Sequence, residues 1–209
     1  MKRVAGMMLS TALLAVAVMA VAMGVGCTSD SGQPAATKPQ PPDLLTGREA
    51  FQQLFIAARG WAGDIKPYQL QSQAYGDYKG KDGKAVAWRA SFASAARGSK
   101  PFTWSGMDAP DGSAPRGISP GTADSFAPSG AFDVAFLKID SDKAFEVGQK
   151  HGGDKVLTDA PDTPVSYLLD WSPGTNNLVW HVIYGNSRND AKLVVDLDAS
   201  TGEFIRVEK

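Results

Sequence analysis

Two histidines and one cysteine limit the chemistry open to this 209-residue chain. His181 stands in the run Leu178-Val179-Trp180-His181-Val182-Ile183-Tyr184, whose alternation places it on the strand face shared by Val179 and Ile183. An imidazole works as a general base only beside a group it can deprotonate, and the run around this one holds no Ser or Cys. His181 therefore reads as a partly buried, hydrogen-bonded side chain. His151 precedes Gly152-Gly153, where a helix is expected to stop and a histidine commonly meets the last carbonyls, so a capping or solvated role is expected. HExxH, CxxC, Walker and Rossmann patterns are all missing. The run from Asp77 to Asp82-Gly83 has the wrong spacing for a calcium loop and encloses Lys79 and Lys81, and the acids Asp154, Asp159 and Asp162 read as solvated loop charge. No metal, no cofactor and no enzymatic activity are expected.

The single cysteine, Cys27, belongs to a different chemistry. Lys2 and Arg3 form a basic start, Val4 to Gly26 is apolar but for Ser10 and Thr11, and Cys27 follows where the small residues end. This is the layout of an export signal. Val25-Gly26-Cys27 resembles the lipobox of bacterial lipoproteins, which implies cleavage before Cys27 and acylation of its thiol. Gly24 departs from the family pattern, which has Leu or another branched residue there. The alternative, an uncleaved membrane anchor, also holds the rest of the chain outside the cytoplasm. The expected location is periplasm-facing and membrane-anchored; Thr28 in place of Asp permits sorting to an outer membrane. With Cys27 acylated no intrachain disulfide can form, so stability must come from a core.

Charge narrows the partners. The chain carries 21 basic and 22 acidic side chains, and loss of Lys2 and Arg3 leaves 19 against 22, a net charge of −3. That balance excludes an electrostatically driven nucleic-acid binder. Hydrophobic residues at 43% and charged residues at 21% suit a globular protein with a core.

The elements that would position these residues follow from periodicity. Residues 1–26 form the signal, and 27–42, rich in Pro, Ser and Gln, an extended tether. Residues 43–104 open with a capping box, Thr46-Gly47-Arg48-Glu49. Phe51, Leu54, Phe55 and Ala58 then share one helix face up to Gly60. Three strands follow, with Tyr68, Leu70 and Ser72, then Val86, Trp88, Ala90 and Phe92, then Phe102 and Trp104. Residues 105–130 read as a Gly/Pro/Ser-rich linker loop. In 131–209 a strand over Ala131 to Ile139 leads into a helix from Ser141 to Gly152-Gly153. Alternating strands come next, with Val165, Tyr167, Leu169 and Trp171, with Leu178, Trp180, Val182 and Tyr184, with Leu193, Val195 and Leu197, and with Phe204 to Val207 after the Ser200-Thr201-Gly202 turn.

At an offset of 92 residues Trp88 meets Trp180, Phe92 meets Tyr184 and Lys100 meets Lys192. The expected fold is α+β: two repeated units, each one helix packed on a three- to four-stranded antiparallel meander. Trp88 and Trp180 are expected in the core, and Trp61, Trp104 and Trp171 lie near element ends, where exposure is open to them. Arg97, Lys100, Arg188 and Lys192 flank equivalent strand-to-strand loops and form the candidate partner surface.

The second unit resembles a PepSY domain. The matching residues are Ser141-Asp142-Lys143-Ala144-Phe145-Glu146-Val147, the Gly152-Gly153 stop, Leu178 to Tyr184, and Val195-Asp196-Leu197-Asp198-Ala199-Ser200-Thr201-Gly202-Glu203-Phe204. The first unit is a weaker copy. The resemblance implies a cystatin-like fold and a non-catalytic role in the cell envelope through protein or peptide contact, with modulation of a secreted peptidase as one form. An envelope assembly factor is the second reading, and an enzyme using His181 the least favoured.

Overall fold

The computed structural model describes residues 40–209 apart from Gly76, Ser113, Ala127 and Pro128; the expected export signal, Cys27 and all but the last three residues of the expected tether lie outside the described residues, and of those three Gln40 and Pro41 accept from Arg116 Nη2 at 3.3 and 2.6 Å. The first helix forms where the capping box sits. A short strand, β1 (Leu45–Thr46), delivers Thr46 to the N-cap of α1 (Gly47–Arg59). Thr46 Oγ1 accepts from the Glu49 N–H at 3.4 Å, and Glu49 Oε2 accepts from the Thr46 N–H at 3.0 Å. The helix buries Ala50, Phe51, Leu54 and Ala58. Burying a Leu or Phe contributes about 1.5–3 kcal/mol, so this stripe outweighs the weak propensity of a 13-residue helix.

Next come β2 (Lys66–Gln73), β3 (Lys84–Ala85), β4 (Ala87–Ser94), β5 (Gly98–Ser105) and β6 (Gly117–Pro120). The later half holds α2 (Ser141–Gly148), α3 (Asp154–Asp159), β7 (Val165–Ser172), β8 (Asn177–Tyr184), β9 (Leu193–Asp198) and β10 (Phe204–Val207). The fold is α+β, with few helices on an antiparallel sheet. β1 and β3 pair with each other, and the other eight strands form one sheet in the order β10-β9-β8-β7-β2-β4-β5-β6.

The expectation of two helix-on-meander units needs amending in two respects. The strands share a single sheet, because β2 and β7 pair antiparallel at its centre through Gln69↔Asp170, Leu70↔Leu169 and Gln71↔Leu168. Left unpaired, each would be a long open edge with unsatisfied backbone groups. The later helix is also not a match for α1. It runs eight residues and opens into a π-type turn at Gln149–Gly153, where Gly152 takes φ +110°, before α3 resumes. Gly152-Gly153 thus interrupts the helix rather than ending it.

Two further segments differ from expectation. Within 105–130, expected as a linker, Gly117–Pro120 pairs with Phe102–Ser105 as an edge strand, and Asp124 bridges Ser99. The strand expected over 131–139 is replaced by a turn. Phe132 donates to Pro67 O, but the Asp133 carboxylate then accepts from the Ala135 N–H at 2.8 Å and closes a 3-10 turn. That local bond competes with extension, leaving Phe132 buried and Phe136 exposed.

The core lies between the helices and one face of the sheet. Trp88, Trp180, Tyr167, Tyr184, Leu70 and Leu169 are fully buried there. Phe51 of α1 meets Phe92 of β4 at 6.1 Å. Trp88 and Trp180 pack edge to face with centroids 6.3 Å apart; their indole N–H groups donate to Leu45 O at 2.9 Å and Ile139 O at 3.0 Å. Trp104 is buried as well, and Trp61 and Trp171 are half-buried.

The N-termini of α1 and α2 meet beside this tryptophan pair. Thr46 Oγ1 donates to Asp140 Oδ2 at 2.7 Å, the Arg48 N–H donates to Asp140 Oδ1 at 2.8 Å, and the Gly47 N–H donates to Ser141 Oγ at 2.7 Å. Ser141 Oγ donates in turn to Gly83 O at 2.5 Å. Only glycine fits at position 83: φ is +75°, and a Cβ would lie 2.3 Å from the Asp142 backbone.

Candidate functional site

His181 on β8 is the centre of a polar ladder that crosses the sheet on the face away from the helices. Strand register sets Asp196 of β9 directly opposite His181, and Arg206 of β10 opposite Asp196. His181 Nδ1 lies 2.6 Å from Asp196 Oδ1, and Nε2 lies 3.1 Å from Asp170 Oδ1, which comes diagonally from β7. Arg206 Nε donates to Asp196 Oδ2 at 2.9 Å. Beyond it Glu208 accepts from Arg206 Nη2 at 2.6 Å and from Arg188 Nη2 at 2.6 Å.

Burial by itself would push the His181 pKa down, but hydrogen bonds to Asp170 and Asp196, reinforced by their charge, outweigh it and raise it. In the imidazolium both ring N–H groups donate to carboxylates. Arg188 Nη2, 3.3 Å from Nδ1, is then a neighbouring charge and not a donor to the ring. Glu208 is subject to the same contest with the opposite charge: partial burial works upward, and the hydrogen bonds from Arg188 and Arg206 hold its carboxyl down at about 2.

This arrangement is closed. His181 is 4% exposed and both ring nitrogens face carboxylates. The recess beside it, lined by Ser172, Thr175 and Ile205 among others, measures about 10 Å³, at the lower edge of what one water needs. Nδ1 of His181 and the carboxylates of Asp196 and Glu208 lie within 4.8 Å of one another, a spacing that suits a cation. Arg188 and Arg206 already bind those carboxylates, and their charge opposes one. The arrangement ties β10 and the C-terminus to the sheet, which is structural work.

His151 does not cap. Within the π-type turn its ring stacks on Phe204 of β10 at 3.7 Å, with planes 6° apart.

The candidate surface of Arg97, Lys100, Arg188 and Lys192 is not one surface. β4 and β8 run antiparallel in the sheet, so the loops that follow them lie at opposite ends. Each of the four has local work. Arg97 donates to Trp61 O, Lys100 Nζ sits 5.6 Å from the Phe102 ring, Arg188 pairs with Glu208, and Lys192 donates to Thr163 Oγ1.

The open surfaces lie elsewhere. On the helix-free face Gln69, Gln71 and Gln73 of β2, Arg89 of β4 and Thr103 of β5 alternate with core residues; Gln71 and Arg89 are exposed, the others half-buried. A recess of about 390 Å³ beside Arg89 is lined by Gln73, Tyr75, Thr103 and Ser119 among others. A second recess, about 380 Å³, runs between α1 and the 134–137 turn over Phe51, Phe55, Ile56 and Leu137, with Ile56 73% exposed. Sequence reasoning passed over Arg89. The signal available was its position 92 residues before His181, at the one charged place inside the Trp88-Ala90-Phe92 alternation.

Comparison of the chain with protein-family models, with curated proteins and with solved structures returned no match. No helix among the described residues is long and apolar enough to cross a membrane.

Proposed function

We propose that this protein is an exported, lipid-anchored, PepSY-like binding protein of the cell envelope that holds a protein or peptide against the open face of its sheet without catalysis. The observation that carries this reading is the contrast between the two polar groups on that face. The His181 ladder is closed on itself, whereas Gln69, Gln71, Arg89 and Thr103 project from paired strands into solvent. Rigid strands with exposed hydrogen-bonding side chains suit recognition more than chemistry. The sheet edges suit it less: β6 and β10 are four residues each, and β6 ends on Pro120, which has no N–H to offer.

The reading includes a duplicated unit. In its favour, α1-β2-β4-β5-β6 and α2-β7-β8-β9-β10 follow the same order about the central β2–β7 pair. Trp88 and Trp180 also occupy corresponding places, each bonded to a carbonyl just ahead of a helix.

A photo-crosslinking amino acid at position 71, in the full chain in its native membrane, tests the binding surface. The expected result is a discrete protein adduct at 71 that is missing when the crosslinker replaces Lys155, which is 78% exposed on α3. Equal yields at both positions, or none at 71, would overturn it. For the anchor, Cys27→Ser is expected to abolish acyl labelling and membrane retention.

A further inference from the structure

We infer that the Arg89 recess binds a carboxylate, presented by an acidic side chain of the protein partner. This rests on the reading of the open face as the binding surface and gives it a chemistry. Strand register lines up one row across the whole sheet: Ser119, Thr103, Arg89, Gln71, Leu168, His181, Asp196, Arg206. In the later half of the row every charge is answered. His181 lies between Asp170 and Asp196, and Arg206 lies between Asp196 and Glu208. In the earlier half the only charge is Arg89, at the place that corresponds to His181, and its row neighbours Gln71 and Thr103 are neutral. Among the described residues its guanidinium makes no ion pair and no hydrogen bond.

The surroundings of that cation select its ligand. Thr103, Ser119 and Tyr75 bring hydroxyls and Gln73 an amide to the same recess; burial and then the charge of Asp111 raise the Tyr75 pKa, so the lining is neutral donor capacity around one planar fork, with one acid on its Tyr75 side. One guanidinium with neutral donors matches a monoanionic carboxylate bound through both oxygens. A phosphate dianion calls for more positive charge, and the chain as a whole, at −1, adds no long-range pull on polyanions. At about 390 Å³ the recess holds an Asp or Glu side chain with its flanking backbone.

Fluorescein-labelled acetyl-hexaglutamate, titrated into the detergent-solubilised full chain and followed by anisotropy, tests the inference. Binding is expected for this peptide and not for its hexaglutamine analogue. Arg89→Gln is expected to weaken it on the order of ten- to a hundredfold, and Arg89→Lys less, because the charge stays while the fork is lost. Arg89 is exposed on a paired strand, so both variants are expected to fold, with unfolding midpoints as the check. Equal binding by Arg89→Gln, no binding by the wild-type chain, or displacement of the peptide by equimolar inorganic phosphate would each overturn the carboxylate assignment. The crosslink at position 71 keeps the two readings apart. If Arg89→Gln captures the partner in undiminished yield, the face stands and the carboxylate falls; if neither chain captures one, the face itself falls.

Discussion

Ser141→Ala removes one oxygen from the place where the two halves of the molecule are joined, and its cost follows from the atoms it abandons. Ser141 is fully buried. Its hydroxyl accepts the Gly47 N–H at 2.7 Å and donates to Gly83 O at 2.5 Å, so it links the first turn of α1, the first turn of α2 and the turn before β3. Alanine leaves one N–H and one C=O in the interior. A buried polar group without a partner costs about 1–3 kcal/mol, and two of them at the lower half of that range give about 3 kcal/mol. For a folded part of this size each 1 kcal/mol lowers Tm by roughly 2–4 °C, so the midpoint is expected to fall about 6–12 °C. Urea unfolding followed by tryptophan fluorescence should show the loss in a single transition, because Trp88 and Trp180 flank the junction from both halves. Ser125→Ala, at an exposed position, serves as the control and is expected to stay within about 0.5 kcal/mol. A loss below about 1 kcal/mol would refute the idea that this hydroxyl bridges the halves. Two separable transitions would refute the idea that the halves unfold together.

Other expectations follow from the same contacts. The folded-state pKa of His181 is raised, so its stabilising contribution is complete below the ordinary histidine value of about 6.5 and is lost as pH rises through the folded value. His181→Asn should therefore lie furthest below wild type in urea midpoint near pH 6 and approach it toward pH 9; a pH-independent gap would contradict the ion-paired ladder. Glu208→Gln weakens the links to Arg188 and Arg206, and amide exchange of Phe204–Val207 should quicken while that of β4 stays unchanged. Gly153→Ala would place a Cβ 1.9 Å from the Tyr184 hydroxyl, and a destabilisation of about 1–3 kcal/mol is expected by chemical denaturation.

The sequence is most legible where the determinants are local. Thr46 and Glu49 are three residues apart and form the box that their types require. Alternation from Val165 to Tyr184 yields β7 and β8 with the expected residues inward. What escaped was non-local or rested on a competing short-range bond. Nothing within β2 or β7 announces that each will pair with the other, since that pairing brings together positions about 100 residues apart. The Asp133 side chain turns a strand-like pattern into a 3-10 turn. At the candidate site, the alternation of Leu193, Val195 and Leu197 puts Asp196 on the His181 face, so half of the ladder was readable; Asp170 reaches the ring diagonally, and alternation carries no information about diagonals. Arg89 stands out only once its neighbours across the sheet are known to be neutral.

The central pairing of β2 with β7 has a consequence for handling the protein. That seam recognises a half-molecule by its backbone and its buried rings, and neither records which polypeptide supplied it. The connection between the halves, residues 121–140 between β6 and α2, is long enough to span several tens of ångströms when drawn out. Two molecules that unfold and refold at high concentration therefore have every contact they need to trade halves and close as a reciprocal pair, with the seam made twice and no new interface required. Such a pair would separate only as fast as the sheet itself comes apart.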